Sequence, residues 1–148
     1  MSPARMEPEG MTLAKLQKGV ALMLKIKEQC QRWGFTKETF VGIVEGETSS
    51  TPEEDGRAAI LMNVIALSSS LCGIKPQQTL RDIIGLVYCE RIKKMRNSAG
   101  HEYSNIPGKN GVDYEAMWSF IDEDFPLIME KLEEAIKERE PSSTTAAL

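Results

Sequence analysis

"RAAILMNVIALSSSLC", residues 57 to 72, decides how this chain folds. Ile60, Leu61, Val64, Ile65, Leu67 and Leu71 recur at helical rather than alternating spacing and leave few polar positions on any side. A helix that is apolar nearly all round needs neighbours on several sides. The segment is therefore expected at the centre of a helical packing or in a subunit interface. Gly73 is placed to end it.

Working outward, residues 12 to 33 carry a stripe of Leu13, Leu16, Val20, Met23 and Cys30, widened by Leu22, Ile26 and Trp33, with Gly34 as the stop. A short helix is predicted over residues 36 to 44 with Thr36 as N-cap. The stretch "EGETSSTPEED", residues 45 to 55, is loop by composition. Beyond the central segment, "IKPQQTL" is a turn in which Thr79 and Asp82 resemble a cap. A helix then runs from about Leu80 through Arg96 with Ile83, Ile84, Val87 and Ile92 inward. Gly85 inside it costs about 1 kcal/mol of helix propensity and is expected to permit close packing. "SNIPGKNG", residues 104 to 111, is a loop. Asp113 then caps a last helix, residues 114 to 139, whose Met117, Ile121, Phe125, Ile128, Leu132 and Ile136 face the core and which Pro126 should kink.

No strand pattern of useful length occurs. The fold class is all-α: an antiparallel helical bundle of four main helices and one short helix over residues 11–140. It is flanked by a disordered arm, 1–10, and a disordered tail, 141–148. The opening "MSPARMEPEG" is polar and holds two prolines, unlike a secretory leader, and "AAILMNVIAL" is too short to span a bilayer. The expectation is a soluble, cytoplasmic protein without a membrane partner.

The formal net charge of −4 excludes a uniformly basic nucleic-acid binder, but the charge is uneven. Residues 45 to 55 hold five acids and no base, so the remaining chain sums to about +1. Residues 90 to 96 set Arg91, Lys93, Lys94 and Arg96 against Glu90, a local +3 suited to phosphate. Cys30, Cys72 and Cys89 are widely spaced within helical patterns and read as buried or half-buried free thiols. No pair has metal-ligand spacing, so neither a metal nor a cofactor is expected.

The chemistry concentrates in "KKMRNSAGHEY", residues 93 to 103, which contains the single histidine. Arg96 offers a planar fork for phosphate. His101 can exchange a proton near neutral pH. Tyr103 adds a hydroxyl and Asn97 an amide. On a straight helix five residues turn by about 500°, which leaves Arg96 and His101 about 140° apart. A bend at Gly100 would let them share one phosphate. Without it, Arg96 and the lysines read as charges that complement a helix C-terminus.

"RNSAGHEY" resembles the R-x4-H-x-Y signature of the HEPN superfamily, in particular the HepT-like toxins. "LRDIIGL" upstream and "YEAMWSFIDEDFPLIMEKLEEAI" downstream are similar to the helices that flank it, over about residues 79 to 137. The resemblance implies a two-fold dimer of helical bundles with metal-independent endoribonuclease activity, partnered by a minimal nucleotidyltransferase antitoxin. Arg96 would then hold and neutralise the scissile phosphate, and His101 would act as general acid–base on the ribose 2′-OH or the leaving oxygen. Asn97 would support them, Tyr103 would be the adenylylation target, and Arg91, Lys93 and Lys94 would bind RNA. The link after Tyr103 is longer than the family pattern, and the acidic loop has no counterpart in it. Two other functions remain open from the residues: a non-catalytic HEPN-type companion or nucleotide-binding subunit of a nucleotidyltransferase, and a helical homodimer of structural or regulatory role.

Overall fold

A computed structural model describes residues 7–43, 46, 49, 51–100 and 112–140, and every regular element among these is helical. In chain order they are α1 (Glu9–Trp33), α2 (Lys37–Val41), α3 (Pro52–Cys72), α4 (Gln77–Ile84), α5 (Leu86–Gly100), α6 (Tyr114–Ser119) and α7 (Phe125–Arg139). A π-helical turn, Phe120–Asp124, joins the last two.

The central segment is central. α3 packs against α1, α4 and α5, while α7 lies against α1 and α4. Ile60, Leu61, Val64, Leu67 and Leu71 of α3 are fully buried beside Leu16, Met23 and Ile26 of α1, Ile92 of α5 and Ile128 and Leu132 of α7. Each such side chain contributes about 1.5–3 kcal/mol relative to exposure. α3 is not covered all round, because Met62 is 59% exposed. Gly19 is required where α1 meets α3, since a Cβ there would lie 2.7 Å from the Leu71 side chain.

The ends of α1 to α3 follow their sequence signals. Gly34, in the left-handed region, donates to Gln31, and the Phe35 N–H reaches back to Cys30, forming a Schellman stop. Thr36 caps α2. α3 starts at Pro52, five residues earlier than its apolar run suggests. Thr51 accepts from the Glu54 N–H at 3.2 Å, and the Glu54 carboxylate returns to the Thr51 N–H at 3.3 Å. With Pro52 in the first turn and Glu53, Glu54 and Asp55 at the positive end of the helix dipole, "TPEED" is a helix start rather than loop. Glu9 and Gly10, read as part of the N-terminal arm, belong to a helix as well. α1 begins at Glu9, and the Glu7 carboxylate binds Thr12 and Lys15 at 2.8 and 2.6 Å. Residues 1–6, the 104–111 loop and the 141–148 tail lie outside the described residues, as do most of residues 44 to 50.

Several expectations for the second half are corrected. The predicted helix over residues 80 to 96 is two helices that break at Gly85, with φ 89° and ψ 159°. That conformation is nearly exclusive to glycine, and no atom would crowd a Cβ at this position. Gly85 is therefore needed for its backbone angle rather than for close packing. α4 starts at Gln77 without a Thr79 cap, and Asp82 instead accepts from the Gln78 amide at 2.7 Å. Val87, expected inward, is 64% exposed just past the break. The last helix does yield around Pro126, but by a π-helical turn immediately before it. Proline has no N–H to give, and the wider turn, with Phe125 N–H on the Phe120 carbonyl, absorbs the mismatch. No single described helix is long and apolar enough to cross a membrane.

Candidate functional site

α5 sorts its charged residues by face. Cys89, Lys93, Arg96, Asn97 and Gly100 fall within about 100° of one another around the helix, while Lys94 and Arg91 lie about 160° and 140° from Arg96. Of the first group, Cys89, Lys93, Arg96 and Asn97 border a cavity of about 390 Å³ between the end of α3, α4 and α5. Leu71, Ile74 and Leu80 give it apolar walls, and Cys72 and Cys89 contribute their thiols. Its charged side chains are Lys75, Arg81, Lys93 and Arg96, and among the described residues no carboxylate lines it. Arg96 and Asn97 also border a more open depression with Ile65 and Gly100. Both side chains thus stand on a ridge between two hollows.

The break at Gly85 builds this arrangement. Arg81 and Arg96 are fifteen residues apart, so one straight helix would hold them about 22 Å apart along its axis. The break interrupts that line, and Arg81 of α4 and Arg96 of α5 border the same cavity. The Lys75 turn is positioned from the other side. Lys15 donates to the Gly73 carbonyl at 2.7 Å while paired with Glu7, and the Glu7 N–H reaches the Lys75 carbonyl.

The thiols report the local field. Burial pushes Cys72 above its ordinary range, and the charges of Lys93, Arg96 and Lys75 pull it back only in part. Burial also raises Cys89, as does its neighbour Cys72, against Lys93 and Arg81. Cys30, remote from the cavity, is raised by burial to about 11. All three are free, as expected. The cations are not strong enough to make nucleophilic thiolates at neutral pH, and the cavity is suited to binding an anion rather than to thiol chemistry.

The structure brings Arg96, Asn97 and Lys93 together and sets the other two basic residues apart. Lys94 is exposed on the far side of α5. Arg91 is committed to Asp124, whose carboxylate the π-helical turn directs inward to meet it at 2.7 Å. His101 and Tyr103 lie outside the described residues. α5 is helical up to Gly100, its last described residue, with no left-handed angle there, so the bend expected between Gly100 and His101 lies outside the described residues. The sequence reading missed Lys75 and Arg81. Neither belongs to a motif, and their nearness to Arg96 depends on the backbone angle at Gly85.

Comparison with known proteins brings no family model, no curated relative and no solved structure into match with this chain.

Proposed function

We propose that the chain is a HEPN-type, HepT-like endoribonuclease toxin that cleaves RNA without a metal and is held in check by a minimal nucleotidyltransferase. The observation that carries this reading is the clustering of Arg96, Asn97 and Lys93 on one face of α5, beside hollows bordered by cations and, among the described residues, by no carboxylate. Arg96 would bind the scissile phosphate, with Asn97 beside it. His101, which follows Gly100 at the end of α5, would move the proton between the 2′-OH and the leaving oxygen. Attack by the 2′-OH leaves a cyclic phosphate and confines the reaction to RNA. In this reading the helices form an antiparallel bundle in a cytoplasmic two-fold dimer. Two copies of the motif then meet across one cleft and supply two histidines for two proton transfers.

The decisive experiment incubates purified protein with RNA in EDTA beside Arg96→Ala and His101→Ala. Loss of cleavage of at least about 100-fold in both is expected. Equal cleavage by all three proteins would defeat the proposal. Light scattering on the eluting protein tests the dimer, and a monomer at micromolar concentration would refute it. Mass spectrometry after co-expression with a nucleotidyltransferase tests Tyr103 as the modified residue.

A second reading, the non-catalytic companion subunit, rests on α5 being helical up to Gly100 with no left-handed angle there. A helix that continued in the same way would turn His101 about 140° from Arg96. A stable complex with a nucleotidyltransferase and no cleavage of RNA would select it.

A further inference from the structure

The cavity between α4 and α5 holds more positive charge than a nuclease needs at one phosphodiester. Lys75, Arg81, Lys93 and Arg96 come from three consecutive parts of the fold and border one space of about 390 Å³. Among the described residues none of the four has an ion-pair partner. The contrast within the molecule is sharp, because Arg91 and Arg139 are paired with carboxylates and the chain as a whole carries a net charge of −4. Acids are abundant, yet among the described residues none lines this cavity. Clustered like charges repel and destabilise the compact state, so four of them around one cavity make sense when an anion joins them.

The amount of charge selects the ligand. An internal phosphodiester carries one negative charge and would leave most of the cluster uncompensated. A terminal phosphate carries about −2 at neutral pH, and a diphosphate more. The volume is in the range of about 300–1,000 Å³ typical of small-molecule sites. The walls complete the description: Leu71, Ile74 and Leu80 form a dry side against which the uncharged part of a ligand can rest, while Asn97 and Gln77 add amides at the rim.

We propose that this cavity is a receptor for a terminal phosphate, a phosphomonoester or diphosphate, held by Lys75 and Arg81 from one side and Lys93 and Arg96 from the other. The site shares Arg96 with the proposed nuclease centre but does not require RNA cleavage, since Lys75 and Arg81 lie outside the R-x4-H-x-Y stretch. The same chemistry is available from the 5′-phosphate end of a polynucleotide and from a free phosphorylated small molecule.

Calorimetric titration of inorganic pyrophosphate into the full chain tests the site. Saturable binding is expected, weakened at least ten-fold in Lys75→Gln/Arg81→Gln and restored within three-fold in the charge-conserving Lys75→Arg/Arg81→Lys. Bound pyrophosphate should also slow alkylation of Cys72 and leave Cys30 unchanged. A second arm compares an oligodeoxyribonucleotide with and without a 5′-phosphate, a strand that the proposed nuclease does not cleave. Stronger binding of the phosphorylated strand, competed by pyrophosphate, assigns the site to polynucleotide ends. Equal binding of the two strands beside tight pyrophosphate binding assigns it to a free small molecule. Absence of saturable pyrophosphate binding at millimolar concentration overturns the proposal. So does unchanged affinity in the glutamine double variant at wild-type melting temperature. Should that variant melt early, Lys93→Gln takes its place with the same expected loss.

Discussion

Arg57 and Arg96 are the same residue type used in opposite ways. Arg57 is 3% exposed near the start of α3, where its guanidinium donates to the Phe40 carbonyl at 2.9 Å and lies 3.5 Å above the Tyr114 ring. Around it Trp33, Phe35, Phe40, Tyr114 and Trp118 form a chain of aromatic contacts with centroids 5.4 to 6.2 Å apart. Arg96 is exposed at the other end of the core, borders two hollows, and has no ion pair among the described residues. A desolvated cation must be satisfied internally, because burying it otherwise costs several kcal/mol. A cation in contact with water carries no such demand and remains available to a ligand. The aromatic end of the molecule is therefore organised for stability, and the α4–α5 end is the one proposed to bind.

The largest effect on stability should follow Arg57→Ala. It removes a charged hydrogen bond worth about 1.5–3 kcal/mol and a desolvated cation–π contact of about 2 kcal/mol, and it leaves a void against Phe40. Chemical denaturation should show a loss of at least about 3 kcal/mol, with unchanged pyrophosphate affinity in the folded fraction. A loss below about 1 kcal/mol would contradict the division between the two ends.

Next comes Gly85→Ala, which acts on the binding end through its scaffold. A non-glycine residue at φ 89° and ψ 159° carries a strain of about 1–3 kcal/mol. The chain can relieve it by straightening towards a continuous helix, which would carry Arg81 away from Arg96. The expected outcome is a moderate fall in stability together with weaker pyrophosphate binding. A stability loss with full binding would show that the cavity does not depend on this break.

These two sites also show what was legible in the sequence. The helical class, the centrality of residues 57 to 72 and the Gly34 stop follow from periodicity and local chemistry, which act over a few residues. Thr51 and Glu54 were equally legible as a capping box and were obscured by the polar composition around them. Gly85 was visible, but a glycine in an apolar helical pattern fits a close contact and a chain reversal equally well. The distinction lies in φ, which tertiary packing decides. Within the candidate site, Lys93, Arg96 and Asn97 could be read because they share one helix face. Lys75 and Arg81 could not, because nothing local to them encodes the break that sets them on the same cavity as Arg96.

A smaller, pH-dependent effect should come from the strap that holds the Lys75 turn. Burial alone would raise the Glu7 carboxyl, but hydrogen bonds from Lys15 and Thr12 hold it below its ordinary value of 4.5. A carboxyl depressed in the folded state contributes stability above its unfolded value. That contribution declines as pH falls below about 4.5 and through the folded value. Wild type should exceed Glu7→Gln by about 1 kcal/mol at pH 7, with the gap closing below pH about 4.5. A gap that is constant down to pH 3 would mean that the ionised form makes no special contact.

The smallest effect on stability is expected at Arg96 itself. Its substitution by alanine leaves no buried acceptor stranded, and it relieves repulsion from Lys93, Lys75 and Arg81 across the cavity. Surface changes of this kind fall within about 0.5 kcal/mol, and the relief of like charges favours the positive side of that range at low ionic strength. Arg96→Ala should therefore melt at or slightly above the wild-type temperature while losing pyrophosphate affinity and, under the nuclease reading, RNA cleavage. Added pyrophosphate should raise the wild-type melting temperature by mass action and leave that of the variant almost unmoved. If Arg96→Ala instead destabilises the protein as much as Arg57→Ala does, then Arg96 is structural, and the separation between a stabilising end and a binding end fails.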